Sequence, residues 1–137
     1  MKVRNMLLGI AVSVLLTGGF LSVFAPDEQP ATIEDGIVVI QSLYNKHREI
    51  SEEARMEYLK VKERMTGFEQ SSVESLFVEN RRTLDTCASM IIYAFPDSLG
   101  FDARKQLLLG AITEMKQSTL SLVRIAAILG PYAEKKK

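Results

Sequence analysis

The chain has 137 residues, and its 17 lysine and arginine residues balance its 17 aspartate and glutamate residues. A chain of this length folds as one domain with a modest core. Since it has no basic excess, a nucleic-acid partner is not expected. The single cysteine, Cys87, excludes an intramolecular disulfide.

The first element is an uncharged apolar run at residues 6–25. It is as long as the roughly 20 residues that a helix needs to cross a bilayer. Lys2 and Arg4 precede the run, and two acidic residues follow it. This asymmetry predicts a single-pass anchor in the cytoplasmic membrane, with the N-terminus inside and the C-terminal domain outside.

Residues 1–25 also have features of a cleavable secretion signal, namely a basic start and small residues before a cleavage point. Cleavage after Ala25 would make Pro26 the first residue after the scissile bond. Since proline lacks the N–H and fixes its own backbone, we expect poor cleavage there. We therefore expect a retained signal-anchor segment. A secreted, periplasmic product after cleavage is the alternative.

A polar linker at residues 26–32 leads into the first predicted helix. Thr32-Ile33-Glu34-Asp35 has the form of a capping box and marks the helix start. The stop signal is Thr66-Gly67, with glycine suited to the residue after a helix end. Between them, apolar positions recur four and three residues apart, which places one face in heptad register. This stripe contains Ile33, Ile37, Ile40, Tyr44, His47, Ser51, Ala54, Tyr58, Val61, Met65 and Phe68.

Two further helices follow with the same spacing. Ser71-Ser72-Val73-Glu74 has the form of a second capping box, the turn at 96–100 separates the two helices, and Gly130-Pro131 ends the last one. The predicted stripes are Val73, Phe77, Asn80, Leu84, Cys87, Ile91 and Ala94 in helix two, and Phe101, Lys105, Leu108, Ile112, Met115, Thr119, Leu122, Ala126 and Leu129 in helix three.

The sequence thus predicts an all-α fold, in which a transmembrane helix precedes an antiparallel three-helix bundle at residues 33–130 and a basic tail at 131–137. Two alternatives concern the last helices. Residues 89–113 are rich enough in β-branched and aromatic residues for a hairpin, but the heptads run through them without a slip. Residues 107–130 are long enough for a second span, but three charged residues within them oppose insertion.

The chain carries no motif that indicates catalysis, a cofactor or a metal. One histidine and one distant cysteine do not make a zinc site, and no phosphate-binding loop occurs. We therefore expect a non-enzymatic protein. Arg81-Arg82 either binds an anionic partner or lies on a solvent-exposed polar helix face.

Polar residues interrupt the predicted seams. His47 and Ser51 do so in helix one and Asn80 does so in helix two. They mark either a wet part of the interface or a buried polar layer that sets register or responds to pH. Cys87 has apolar neighbours in its stripe, so we expect burial rather than an intermolecular link.

Helix one, predicted to span 33–66, is longer than helix two, predicted to span 73–95. Its membrane-proximal start is therefore expected to be uncovered and to associate with a second copy or with another membrane or periplasmic protein. The predicted interaction residues are Ile33, Ile37, Ile40, Leu43, Tyr44 and His47.

Together these features predict a small membrane-anchored extracytoplasmic helical protein that acts in assembly or partner binding at the membrane surface. In architecture alone it resembles phage lysis proteins of the inner-membrane spanin and single-span holin types. It also resembles helical extracytoplasmic sensor modules. No motif selects among these classes.

Overall fold

The computed structural model describes residues 32–96 and 98–133. The predicted anchor with its cleavage site, nearly all of the linker, and the lysines at 135–137 lie outside these residues. The predictions made for them therefore stay predictions.

Three α-helices pack together in the described part of the chain. Helix α1 covers Ile33–Val61, α2 covers Gly67–Ala94 and α3 covers Phe101–Ala133, with a short 3-10 turn at Lys62–Arg64. No strand occurs in residues 32–96 and 98–133, so the hairpin alternative for 89–113 is wrong. Within the same residues, no helix is both long enough and apolar enough to cross a bilayer.

The helices alternate in direction. Ile33, Ala94 and Leu108 belong to one apolar core cluster, whereas Val61 and Leu129 belong to a second cluster at the other end. Helices α1 and α3 therefore run the same way, and α2 runs opposite to both. Helix α3 packs against both of the others, and α1 and α2 contact each other least. One side of the bundle, between α1 and α2, is consequently open.

The predicted stripes form most of the core, as the heptad spacing indicates. Leu43 and Ile50 join them, because a straight helix with 3.6 residues per turn drifts across a seam of period 3.5. Phe68 and Phe101 are exceptions. Phe68 is 82% exposed and belongs to α2 rather than to α1, and Phe101 is 47% exposed at the start of α3.

The start of α2 differs from the prediction. Thr66 does not end the first helix but caps the second one: its hydroxyl accepts from the Glu69 N–H at 3.1 Å, and the Glu69 carboxylate accepts from the Thr66 N–H at 3.0 Å. This reciprocal pair is a capping box. Gly67 is therefore the first residue of α2, and Ser71-Ser72-Val73-Glu74 lies inside it. By contrast, the predicted cap at Thr32 is confirmed, with Asp35 N–H donating to its hydroxyl at 3.0 Å.

Helix α3 also continues past its predicted stop, with Pro131 inside its last turn. Proline removes one helical hydrogen bond there, but contacts of Tyr132 hold the turn in place. Its ring packs on the core, its hydroxyl donates to Glu69, and its carbonyl accepts from Arg64 Nη2 at 3.1 Å. The end of α3 is thereby docked onto the α1–α2 connection.

Cys87 is completely buried, as predicted. Burial, aided by the negative charge of Glu114, raises the pKa of its thiol to about 12. The thiolate that reacts with alkylating reagents is therefore almost absent at neutral pH.

We expect Cys87 to resist a thiol reagent in the native protein and to react fully once the chain is unfolded. A matched control moves the thiol to an exposed position on the same helix by combining Cys87→Ala with Ser89→Cys. This variant should react at once under native conditions, as followed by mass spectrometry. Equal labelling rates for the two proteins, or a disulfide-linked dimer on a non-reducing gel, would contradict the assignment.

Candidate functional site

The predicted interaction residues do not form an open surface. Ile33, Ile37, Ile40 and Leu43 are buried in the core cluster that α1 shares with α2 and α3, and His47 is buried as well. The expected overhang is wrong because α1 already ends at Val61 and α2 begins at Gly67, which gives the two helices 29 and 28 residues. Only Tyr44 remains partly exposed.

A layer of polar side chains separates the two apolar clusters. Ser118 of α3 is at its centre, with its hydroxyl donating to Asn80 Oδ1 at 2.6 Å. Asn80 in turn donates from Nδ2 to Ser51 Oγ at 2.7 Å. On the other side, His47 Nδ1 lies 3.1 Å from Ser118 Oγ. All three helices therefore contribute to one hydrogen-bonded chain, and the interpretation of His47 as part of a wet interface is wrong.

This chain of hydrogen bonds assigns the tautomer of His47. Because the Ser118 proton is directed to Asn80, the Ser118 oxygen accepts from His47 Nδ1–H. His47 Nε2 is left as a buried lone pair with no hydrogen-bond partner among the described residues. Burial lowers the pKa of His47 to about 4, so the ring is neutral at pH 7.

The polar layer has a structural consequence. If a helix shifted by one turn, these groups would be buried without partners, at a cost of about 1–3 kcal/mol for each one. The layer therefore specifies the axial register of the three helices. Ser118 was missed by the sequence analysis, although its place three residues after Met115 and four before Leu122 is a core position.

The open side of the bundle forms a groove between α1 and α2, with a volume of about 780 Å³. It begins at Tyr44, roughly 17 Å along α1 from Ile33 at 1.5 Å per residue. Its walls combine exposed apolar side chains, aromatic rings and charged groups. The lining residues include Tyr44, Arg48, Glu52, Arg55, Tyr58, Leu59, Lys62, Glu74, Phe77, Val78, Arg81 and Asp85.

At the end of the groove farthest from Tyr44, several contacts fix the positions of the side chains. Tyr58 is buried, its ring centroid lies 6.0 Å from that of Phe77, and its hydroxyl donates to Glu74 at 2.6 Å. Lys62 Nζ lies 3.5 Å from the Glu74 carboxylate and 5.8 Å from the centre of the Tyr58 ring. Burial and the bond to Glu74 raise the pKa of Tyr58 to about 12, so it remains a neutral donor. The same bond lowers the pKa of Glu74, which keeps its negative charge.

The α1 wall carries cations in a regular line. Arg48, Arg55 and Lys62 are spaced seven residues apart, so they follow one another along the helix, two turns at a time. Within residues 32–96 and 98–133, neither Arg48 nor Arg55 forms a salt bridge, and the same holds for Arg81 on the opposite wall. This spacing is visible in the sequence, but only the fold shows that the line borders a groove.

In the described part of the chain, the fold and the site define a three-helix bundle with an open, charged groove between α1 and α2. Over the described ranges, no group of three or more His, Cys, Asp or Glu side chains could hold a metal ion. Comparison of the chain with protein families, with characterised proteins and with solved structures finds no match.

Proposed function

We propose that this protein is a membrane-anchored, non-enzymatic binding module, extracytoplasmic in location, that receives an amphipathic helix of a partner protein in the groove between α1 and α2. The observation that carries the proposal is the groove itself, where the bundle lacks a fourth helix and its rims leave apolar and charged side chains exposed. The uncharged run at 6–25 supports the anchor.

The chemistry of the walls indicates what the partner helix carries. Exposed Leu59 on α1 and Val78 on α2 offer apolar contacts to a helix lying between them. Arg48 and Arg55, which form no salt bridge within the described residues, favour a partner whose facing edge carries carboxylates seven residues apart. A second copy anchored in the same membrane would pair parallel through α1 and would set this cationic line against itself, so a different protein is the favoured occupant.

The test uses two synthetic amphipathic helices with the same leucine face, one with glutamate and one with lysine every seven residues along one edge. Exposed ion pairs contribute about 0.2–1 kcal/mol each, and Lys62 already pairs with Glu74. New pairs with Arg48 and Arg55 should therefore give the glutamate peptide a roughly fivefold tighter Kd. Fluorescence anisotropy of the labelled peptides against the full chain in nanodiscs measures the difference. Raising the salt concentration should reduce it.

Arg55→Glu should remove most of this preference, whereas Arg82→Glu, the same change on an exposed residue that does not line the groove, should leave it intact. Equal binding of both peptides, or equal losses from both variants, would overturn the proposed partner.

Sedimentation of the chain alone tests the other occupant, because an oligomer abolished by Leu59→Glu would assign the groove to a second copy. Co-flotation with phospholipid vesicles tests the anchor separately.

A further inference from the structure

Large apolar side chains are concentrated around the turn that joins α2 to α3. Of the twelve large apolar residues exposed in the described part of the chain, five lie within residues 92–101, with exposed fractions between 39% and 64%. We call these five residues the turn patch: Ile92, Tyr93, Phe95, Leu99 and Phe101. The groove does not include them, so the proposed partner helix leaves them uncovered.

The turn patch lies at the end of the bundle where α1 begins. Ile33, the first residue of α1, shares a core cluster with Ala94, the last residue of α2. Arg104, near the start of α3, joins the two helices there, because its Nη2 lies 3.4 Å from Glu34 and 3.1 Å from the Phe95 carbonyl. The turn patch is therefore close to the point where the chain enters the bundle.

The chain that precedes α1 restricts what this end can face. Residues 26–31 separate the apolar run from Thr32 and span at most roughly 20 Å when fully extended. If residues 6–25 are anchored, Thr32 stays within that distance of the bilayer surface, and the turn patch lies at the same end of the bundle. This step rests on the anchor of the proposed function.

We propose that the turn patch docks onto the interfacial region of the bilayer and holds the bundle end-on, with the groove directed away from the membrane. Aromatic rings are favoured at headgroup level, and the patch supplies two phenylalanines and a tyrosine. Three exposed carboxylates, those of Glu34, Asp35 and Asp102, lie at the same end of the bundle. The docking surface is therefore suited to zwitterionic lipids rather than to anionic ones.

The chain has no tryptophan, so one substitution introduces a unique fluorescent reporter. Tyr93→Trp places it in the turn patch, and Phe68→Trp places it on an exposed residue at the opposite end of the bundle. Each full chain is reconstituted into phosphatidylcholine vesicles, with and without lipids brominated near the headgroup. We expect blue-shifted emission and strong loss of intensity for Tyr93→Trp, and neither effect for Phe68→Trp.

Adding Ile92→Glu to Tyr93→Trp should remove the quenching while flotation with the vesicles and helical circular dichroism stay unchanged.

If the chain floats but the reporter at 93 is not quenched, the docking proposal is overturned and the anchor stands. Quenching at both 93 and 68 would overturn end-on docking, and protection of 93 from acrylamide without lipid quenching would assign the patch to a second copy. A chain that does not float fails the anchor itself, and the docking proposal fails with it.

Discussion

Acidification from pH 7 to pH 4 is expected to lower the free energy of unfolding by about 3 kcal/mol through His47 alone. The imidazole has a pKa of about 4 in the folded chain and an ordinary value of 6.5, so below pH 6.5 the unfolded state binds more protons. Stability is therefore fully present above that pH and is lost as the pH falls towards 4. The structural cause is burial, and protonation would also place a second N–H donor where Nε2 has no acceptor.

The measurement is urea denaturation of the full chain at several pH values between 7 and 4, followed by circular dichroism. Carboxyl groups ordinarily titrate near the acidic end of this range, so the wild type is compared with His47→Leu. This variant replaces the imidazole with an apolar side chain of similar size and so removes the titrating group. The two stability curves should diverge as the pH falls, with the variant more stable at pH 4. Parallel curves would contradict the assignment of His47 as the acid-sensitive group.

The second large effect is expected at Arg104, where Arg104→Met should lower the free energy of unfolding by about 3 kcal/mol. This guanidinium is buried, with Nε donating to the Ala94 carbonyl at 2.7 Å and Nη2 donating to the Phe95 carbonyl at 3.1 Å. It thereby satisfies carbonyl groups that the end of α2 leaves without helical partners and places a positive charge at a helix C-terminus. Methionine fills similar space but donates no hydrogen bond.

Two further variants distinguish the capping role from the ion pair with Glu34. Glu34 is largely exposed, so Glu34→Gln should cost less than about 1 kcal/mol. Arg104→Lys should recover only part of the loss, because an ammonium group cannot reproduce the planar fork that reaches two carbonyls. Thermal denaturation of the four proteins gives the order. If Glu34→Gln costs as much as Arg104→Met, the ion pair rather than the cap carries the stability.

The boundary between α1 and α2 decides whether the start of α1 is covered. Thr66-Gly67 is compatible with either helix terminus. Threonine is a common N-cap at a helix start, and glycine commonly follows the last residue of a helix. With helix one at 33–66 and helix two starting at Val73 after the apparent capping box, helix two is too short to cover Ile33, Ile37 and Ile40. The reciprocal bonds between Thr66 and Glu69 place the boundary correctly.

The polar layer was predictable only in part. His47, Ser51 and Asn80 interrupt apolar stripes, so the sequence marks them as unusual. Whether they are wet or paired depends on which residue stands opposite, and Ser118, the residue that links them, comes from a helix far along the chain. That pairing is a property of the register between helices, and no spacing within one helix contains it.

Four features of the described part were predictable from the sequence alone: its helical class, its three helices, the apolar face of each helix and the burial of Cys87. These follow from apolar periodicity and capping residues, which act over a few neighbouring positions. Three other features became visible only in the folded bundle: α3 packs against both other helices, the line of Arg48, Arg55 and Lys62 borders an open groove, and Arg104 caps α2. These depend on how close separate helices lie, and packing across the whole core sets that distance.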